Sequence, residues 1–206
     1  MNVLTKSIGL LALTTITAPA LAGVVYTDTV SFLNDADAGI SLNTFDDAVY
    51  GASPDLSYTI GAFSYEISAG GGYGTGLFND TGIISTQNSN DHLLITFTSG
   101  NVNAVGGNFW GTEVGFATVL AQITITLSDG TDVTFDSVGP SVFRGFSTDT
   151  FITSMTIEAK SATGAWATMD NLYVGSAAVV PLPPAAWAGL AMLGLLGGAH
   201  ARRRHA

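Results

Sequence analysis

Apolar and polar residues alternate strictly over Ala121-Gln122-Ile123-Thr124-Ile125-Thr126-Leu127. That period of two puts one side of a strand against a core and the other in water. Asp129-Gly130 follows, then Val133-Thr134-Phe135. A residue at ease at positive φ between two β-branched runs predicts a hairpin. Leu93, Ile95 and Phe97 mark a second inward face, with Leu94, Thr96 and Thr98 outward, and Phe151, Met155 and Ile157 mark a third. Further strands are expected at Val24 to Phe32, Ile40 to Phe45, Leu56 to Ile67, Gly82 to Ser85, Val102 to Trp110, Val142 to Phe146 and Trp166 to Val174. No stretch of this middle region holds an apolar 3.6-residue period between caps. Turn clusters recur at Ser53-Pro54-Asp55, Gly70-Gly71-Gly72, Ser99-Gly100-Asn101 and Gly139-Pro140. Many short strands with such punctuation predict an all-β fold, a jelly-roll-like β-sandwich. Separate β-pieces joined by long loops are the alternative. Ala69 to Asn90, rich in Gly, Ser, Asn and Thr, is expected to be the least ordered part.

The two ends follow other patterns. Lys6, an apolar stretch from Ile8 to Ile16, the helix breaker Pro19, and small residues at Ala20 and Ala22 come in the order of a secretory signal peptide. Cleavage after Ala22 would start the mature chain at Gly23. At the other end Val180-Pro181-Leu182-Pro183-Pro184 precedes an apolar run from Ala185 to Ala201 and then Arg202-Arg203-Arg204. A helix over that run spans about 25 Å, the short end of a membrane crossing. Pro183 and Pro184 would fix its start, and the arginines would hold the far end in the cytoplasm. The expected organisation is a signal helix at 1–22, a β-sandwich ectodomain at 23–178, and a C-terminal segment at 179–206 with a transmembrane helix.

A Pro-containing motif, a short apolar helix and an Arg cluster, in that order at the C-terminus, resemble the PEP-CTERM class of sorting signals. Val180-Pro181-Leu182-Pro183 is similar to its VPLPA-type variant, with Pro184 where that variant has Ala. The resemblance implies an exosortase-type membrane transpeptidase as partner, in a Gram-negative bacterium. It also implies a precursor anchored in the inner membrane and then passed to the cell surface or extracellular matrix, in association with exopolysaccharide. A permanent C-terminal anchor is the other reading of the same residues. More loosely, the middle resembles jelly-roll ectodomains found ahead of such tails. The residues that match are Asn43-Thr44-Phe45-Asp46, Gly106-Gly107-Asn108-Phe109, Phe143-Arg144-Gly145-Phe146 and Ala167-Thr168-Met169-Asp170-Asn171-Leu172.

Charge sharpens the picture. Only 11% of the 206 residues are charged, against about a quarter in an average soluble domain. All 16 acidic residues fall in the middle, which keeps only Arg144 and Lys160 as bases. A domain so acidic repels phosphate backbones, which excludes nucleic acid as a partner. The absence of cysteine excludes disulfides, thiolate metal sites and a Cys nucleophile.

No nucleophile elbow, zinc-protease helix or phosphate loop is present, and His92 is the one histidine within 23–178. Asp46, Asp47, Glu66, Glu113 and Asp170 are the kinds of group that could cleave glycosides in pairs. Asp46 and Asp47 near one end of the domain could meet Asp170 and Asn171 near the other, as hard oxygen ligands for calcium, or simply cap turns. Tyr73, Trp110 and Trp166 are the candidates for stacking on sugar rings, the alternative for each Trp being the core. The expected function is a non-catalytic surface or matrix protein associated with exopolysaccharide. The alternative is a secreted carbohydrate-active enzyme, a hydrolase or lyase on the same fold.

Overall fold

The computed structural model describes residues 23–36, 39–74 and 76–176. The expected signal peptide with Ala20 and Ala22, the motif Val180 to Pro184, the apolar run and Arg202 to Arg204 lie outside the described residues. Among the described residues no helix is long and apolar enough to cross a membrane.

Two antiparallel sheets face each other across one core. The smaller has six strands: β12 (Asp132–Ser137), β11 (Ala121–Leu127), β14 (Ser154–Lys160), β8 (Asp91–Phe97), β5 (Phe63–Gly71) and β4 (Leu56–Ile60), in that spatial order. The larger runs β1 (Val24–Tyr26), β13 (Phe143–Ser147), β9 (Ala104–Thr112), β15 (Trp166–Gly175), β7 (Ile83–Thr86), β6 (Leu77–Asp80) and β3 (Gly51–Ser53). Strand β10 (Thr118–Val119) pairs with β9, and β2 (Ile40–Asn43) with β15.

The alternation in the sequence is the alternation in space. On β11, Ala121, Ile123, Ile125 and Leu127 are buried, and so are Leu93, Ile95 and Phe97 on β8. They meet Leu77, Ile84, Phe109, Ala167 and Met169 of the larger sheet in one core cluster. Each such side chain contributes about 1.5–3 kcal/mol on leaving water. The hairpin turns where expected. Gly130 has φ of 92°, and the Asp129 carboxylate accepts from the Thr131 amide at 2.9 Å.

Four expectations need correction. Leu56 to Ile67 is not one strand but a hairpin: β4 ends at Ile60, the chain turns through Gly61 at φ 59°, and β5 begins at Phe63. Val24 to Phe32 is not one strand: β1 ends at Tyr26 and helix α1 (Thr29–Asp35) follows. Asp28 caps it, its side chain accepting from the Ser31 amide at 2.8 Å. Phe151 is exposed, because the Ile152 amide reaches the Val102 carbonyl before β14 begins, and Ile152 takes the buried place. The stretch Ala69 to Asn90 carries the end of β5 and all of β6 and β7. Its polar residues there are held in ladder pairs rather than in a loop.

The outer face of the larger sheet is divided along the length of β9 and β15. At one end α1 lies on it. Phe32 is fully buried against Tyr26, Ala104, Phe143 and Tyr173, with ring centroids 5.5 Å from Tyr26 and 5.6 Å from Phe143. The ring sits where Gly145 and Gly106 stand side by side on β13 and β9. A Cβ on Gly145 would lie 2.6 Å from Phe32 Cδ2. Among the described residues no helix lies on the other end of the same face, and a cleft opens there.

Candidate functional site: an aromatic cleft on the open half of the larger sheet

Cross-strand register builds the cleft. Ala52 of β3 stands opposite Phe78 of β6, Phe78 opposite Ser85 of β7, and Ser85 opposite Thr168 of β15. One step along, Trp166 stands opposite Thr112 of β9. Residues paired directly across strands, or two apart on one strand, share a face. Leu77, Ile84, Ala167 and Met169 lie in the core, so this set faces outward.

The floor is hydroxyl. Ser85 and Thr112 line it, and the fully buried Thr168 behind them joins the two in a chain. Ser85 Oγ lies 2.9 Å and Thr112 Oγ1 2.8 Å from Thr168 Oγ1. Such a connected chain holds each oxygen in place. The walls are aromatic. Tyr50, 70% exposed, packs edge-on against Phe78 at 5.5 Å, and Phe116 lies 5.6 Å from Phe78. Trp166 stands half-buried across the cleft, which has a volume of about 460 Å³ and is also bordered by Gln87 and Glu113. That volume is within the usual range of small-ligand sites, about 300–1,000 Å³.

Phe116 reaches the cleft from the turn between β9 and β10. Gly115 and Phe116 both have positive φ, 95° and 64°. The Glu113 amide bonds the Ala117 carbonyl at 2.9 Å, and the Phe116 amide the Glu113 carbonyl at 3.0 Å. A bulky residue in the left-handed region costs about 1–3 kcal/mol, and such strain concentrates at ligand clamps.

The sequence candidates fall in different places. Trp166 lines the cleft. Trp110 does not offer a face: only 2% of it is exposed, the ordinary fate of a large aromatic on a central strand. Tyr73 is 66% exposed but stands off the cleft, on a loop whose amides at Tyr73 and Gly74 bond the Asp91 carboxylate. His92 lies across Gly70, whose Cβ would come 2.7 Å from its Nε2.

The calcium candidates meet only in part. Asn43 and Leu172 are paired where β2 joins β15, which brings Asp46 close to Asp170. Burial holds the Asp170 carboxyl above its ordinary value; the Asn171 amide pulls it back and the Asp46 charge pushes it up. Asp170 is already engaged by both the backbone and side-chain nitrogens of Asn171, a residue at φ 53°. The Asp46 carboxylate accepts from Thr44 Oγ1 at 2.7 Å. Asp47 acts on Tyr58 and Tyr65 instead. Among the described residues no three His, Cys, Asp or Glu side chains gather around a common point, whereas calcium takes six to eight oxygens.

This corner ties the sheets together. Asn43 donates to the Tyr65 hydroxyl at 2.8 Å and accepts from the Phe45 amide at 2.8 Å, both bonds buried. Of the acids named for glycoside cleavage, Glu66 is exposed on β5, Asp46 and Asp170 are at this corner, and Glu113 is on the cleft rim.

Sequence reasoning missed Tyr50, Phe78 and Phe116. The signal for Phe78 was its place, alternating with Leu77 and Asn79 in a segment too polar to read as strand. Nothing local marked Tyr50 or Phe116, which meet Phe78 only through the sheet. No protein-family model matches the chain, and no curated protein matches it.

Proposed function

We propose that the chain is an exported, non-catalytic protein of the bacterial surface or extracellular matrix. It is sorted by an exosortase-type system and binds extracellular polysaccharide through the aromatic cleft. The cleft carries this reading: three rings and an indole beside fixed hydroxyls are what sugar rings need, apolar C–H faces for stacking and polar groups for their hydroxyls. Its lining holds one carboxylate, Glu113, where the two-carboxylate chemistry of glycoside cleavage needs a facing pair. That favours binding over the enzyme.

The placement of the ends supports the sorting reading. Val24 pairs with Ser147, Ser147 with Ala104, and Ala104 with Gly175. The first and last strands therefore leave the domain from one row at one end of the larger sheet. Trp166 is at the opposite end of β15, about 30 Å away at the usual rise per residue. A tail held in the membrane would leave the cleft pointing outward. The sandwich is in keeping with the jelly-roll ectodomains that such tails follow.

The test is a glycan array probed with the full chain, held in a detergent without a sugar headgroup, beside Tyr50→Ala and Trp166→Ala. Both side chains are partly or largely exposed, so the variants should fold. Specific binding lost in both is expected. Binding that both retain would place it elsewhere, and no binding at all would overturn the reading.

A further inference from the structure

Charge around the cleft selects among glycans. Glu113 is the one charged side chain in its lining. The two bases of the described domain are elsewhere and occupied. Arg144 stacks 4.0 Å over the Phe135 ring and donates to the Phe143 carbonyl at 2.7 Å. Lys160 pairs with Glu158 at 2.9 Å. Among the described residues, a uronate or sulfated sugar entering the cleft would meet a like charge and no cation. An uncharged sugar would meet rings and hydroxyls, and an amino sugar would also find a counter-charge at Glu113.

Resting on the glycan-binding reading, we propose that the cleft takes uncharged or amine-bearing sugars and discriminates against acidic polysaccharide. Glu113, at the start of the strained turn, acts as the discriminating residue. Aromatic grooves also take proline-rich segments, and the chain has one of its own. The hydroxyl floor and the single acid favour the sugar.

The experiment is calorimetric titration of the detergent-held full chain with three probes: a neutral glucan hexamer, a glucosamine hexamer and a galacturonate hexamer. Each is run at low and at physiological ionic strength, because an exposed charge is screened beyond about 10 Å at 0.1 M salt. The expected order is glucosamine at least equal to glucan, and galacturonate about threefold to tenfold weaker at low salt, the gap closing as salt rises. Glu113→Gln should narrow the ratio of glucan to galacturonate affinity. Galacturonate binding as tightly as glucan would overturn the selectivity and leave glycan binding standing. A ratio unchanged in Glu113→Gln would remove Glu113 from its role. Failure of all three hexamers, or their displacement by a peptide of the sequence 179–184, would overturn the glycan reading itself.

Discussion

Phe32 rests on two glycines, and that contact shows how single atoms shape the larger sheet. Overpacking of this kind costs about 1–3 kcal/mol, so Gly145→Ala should lower the denaturation midpoint by a corresponding amount. Phe32→Ala should cost about 3–5 kcal/mol. Both are read from chemical denaturation curves. Phe116 presents the opposite case. Its φ of 64° is one that glycine adopts freely, so Phe116→Gly should leave the melting temperature unchanged or higher while weakening glycan binding. A large loss of stability would show that the Phe78 contact outweighs the strain. The glycines at 106 and 145 were visible in the sequence, but their reason was not. It lies in a cross-strand pair and a helix that comes from far up the chain.

Among the elements, clean alternation made some strands plain, while β9, β13 and β15 were read from apolar runs without it. Strands β8 and β11 announce themselves because each buries one face and wets the other. Helix α1 has seven residues and one buried anchor, too few for a period to show. Strand β3 at the sheet edge and β6 beside it lie among polar residues, and pairing rather than composition makes them strands. The corner where β2 meets β15 has a pH signature through its neighbours on β4 and β5. Burial, aided by the charge of Asp47, pushes the Tyr58 hydroxyl up to about 12, and burial raises that of Tyr65 as well. Folding therefore favours the protonated phenols. That stability is fully present below the ordinary tyrosine value near 10 and is lost as pH rises from there through about 12. Denaturation curves over that window should show the loss, and Tyr58→Phe should make it shallower. In the acid range, Asp46→Asn should lower the pKa of Asp170, read from its carboxyl carbon by NMR, by removing the neighbouring charge.

At the scale of the whole molecule, the sandwich has a polarity. The start of β1 and the end of β15 lie at one end of the larger sheet, and the cleft opens at the other. The all-β fold was legible because it rests on local periodicity. The cleft was not, because its walls come from β3, β6, β15 and the β9–β10 turn, brought together only by register. Deleting Ala185 to Ala206 should stop delivery of the protein to the cell surface, checked by protease accessibility on intact cells; normal delivery would contradict the sorting proposal. The cleft itself is tested most directly by its own indole. Trp110 is buried next to Thr168 and Trp187 belongs to the C-terminal run, so Trp166 is the indole that a ligand in the cleft would touch. Titration of the full chain with a neutral glucan hexamer should give a saturable change in tryptophan emission that disappears in Trp166→Phe. No saturable change with any of the three hexamers, or one that persists in Trp166→Phe, would contradict glycan binding in the cleft.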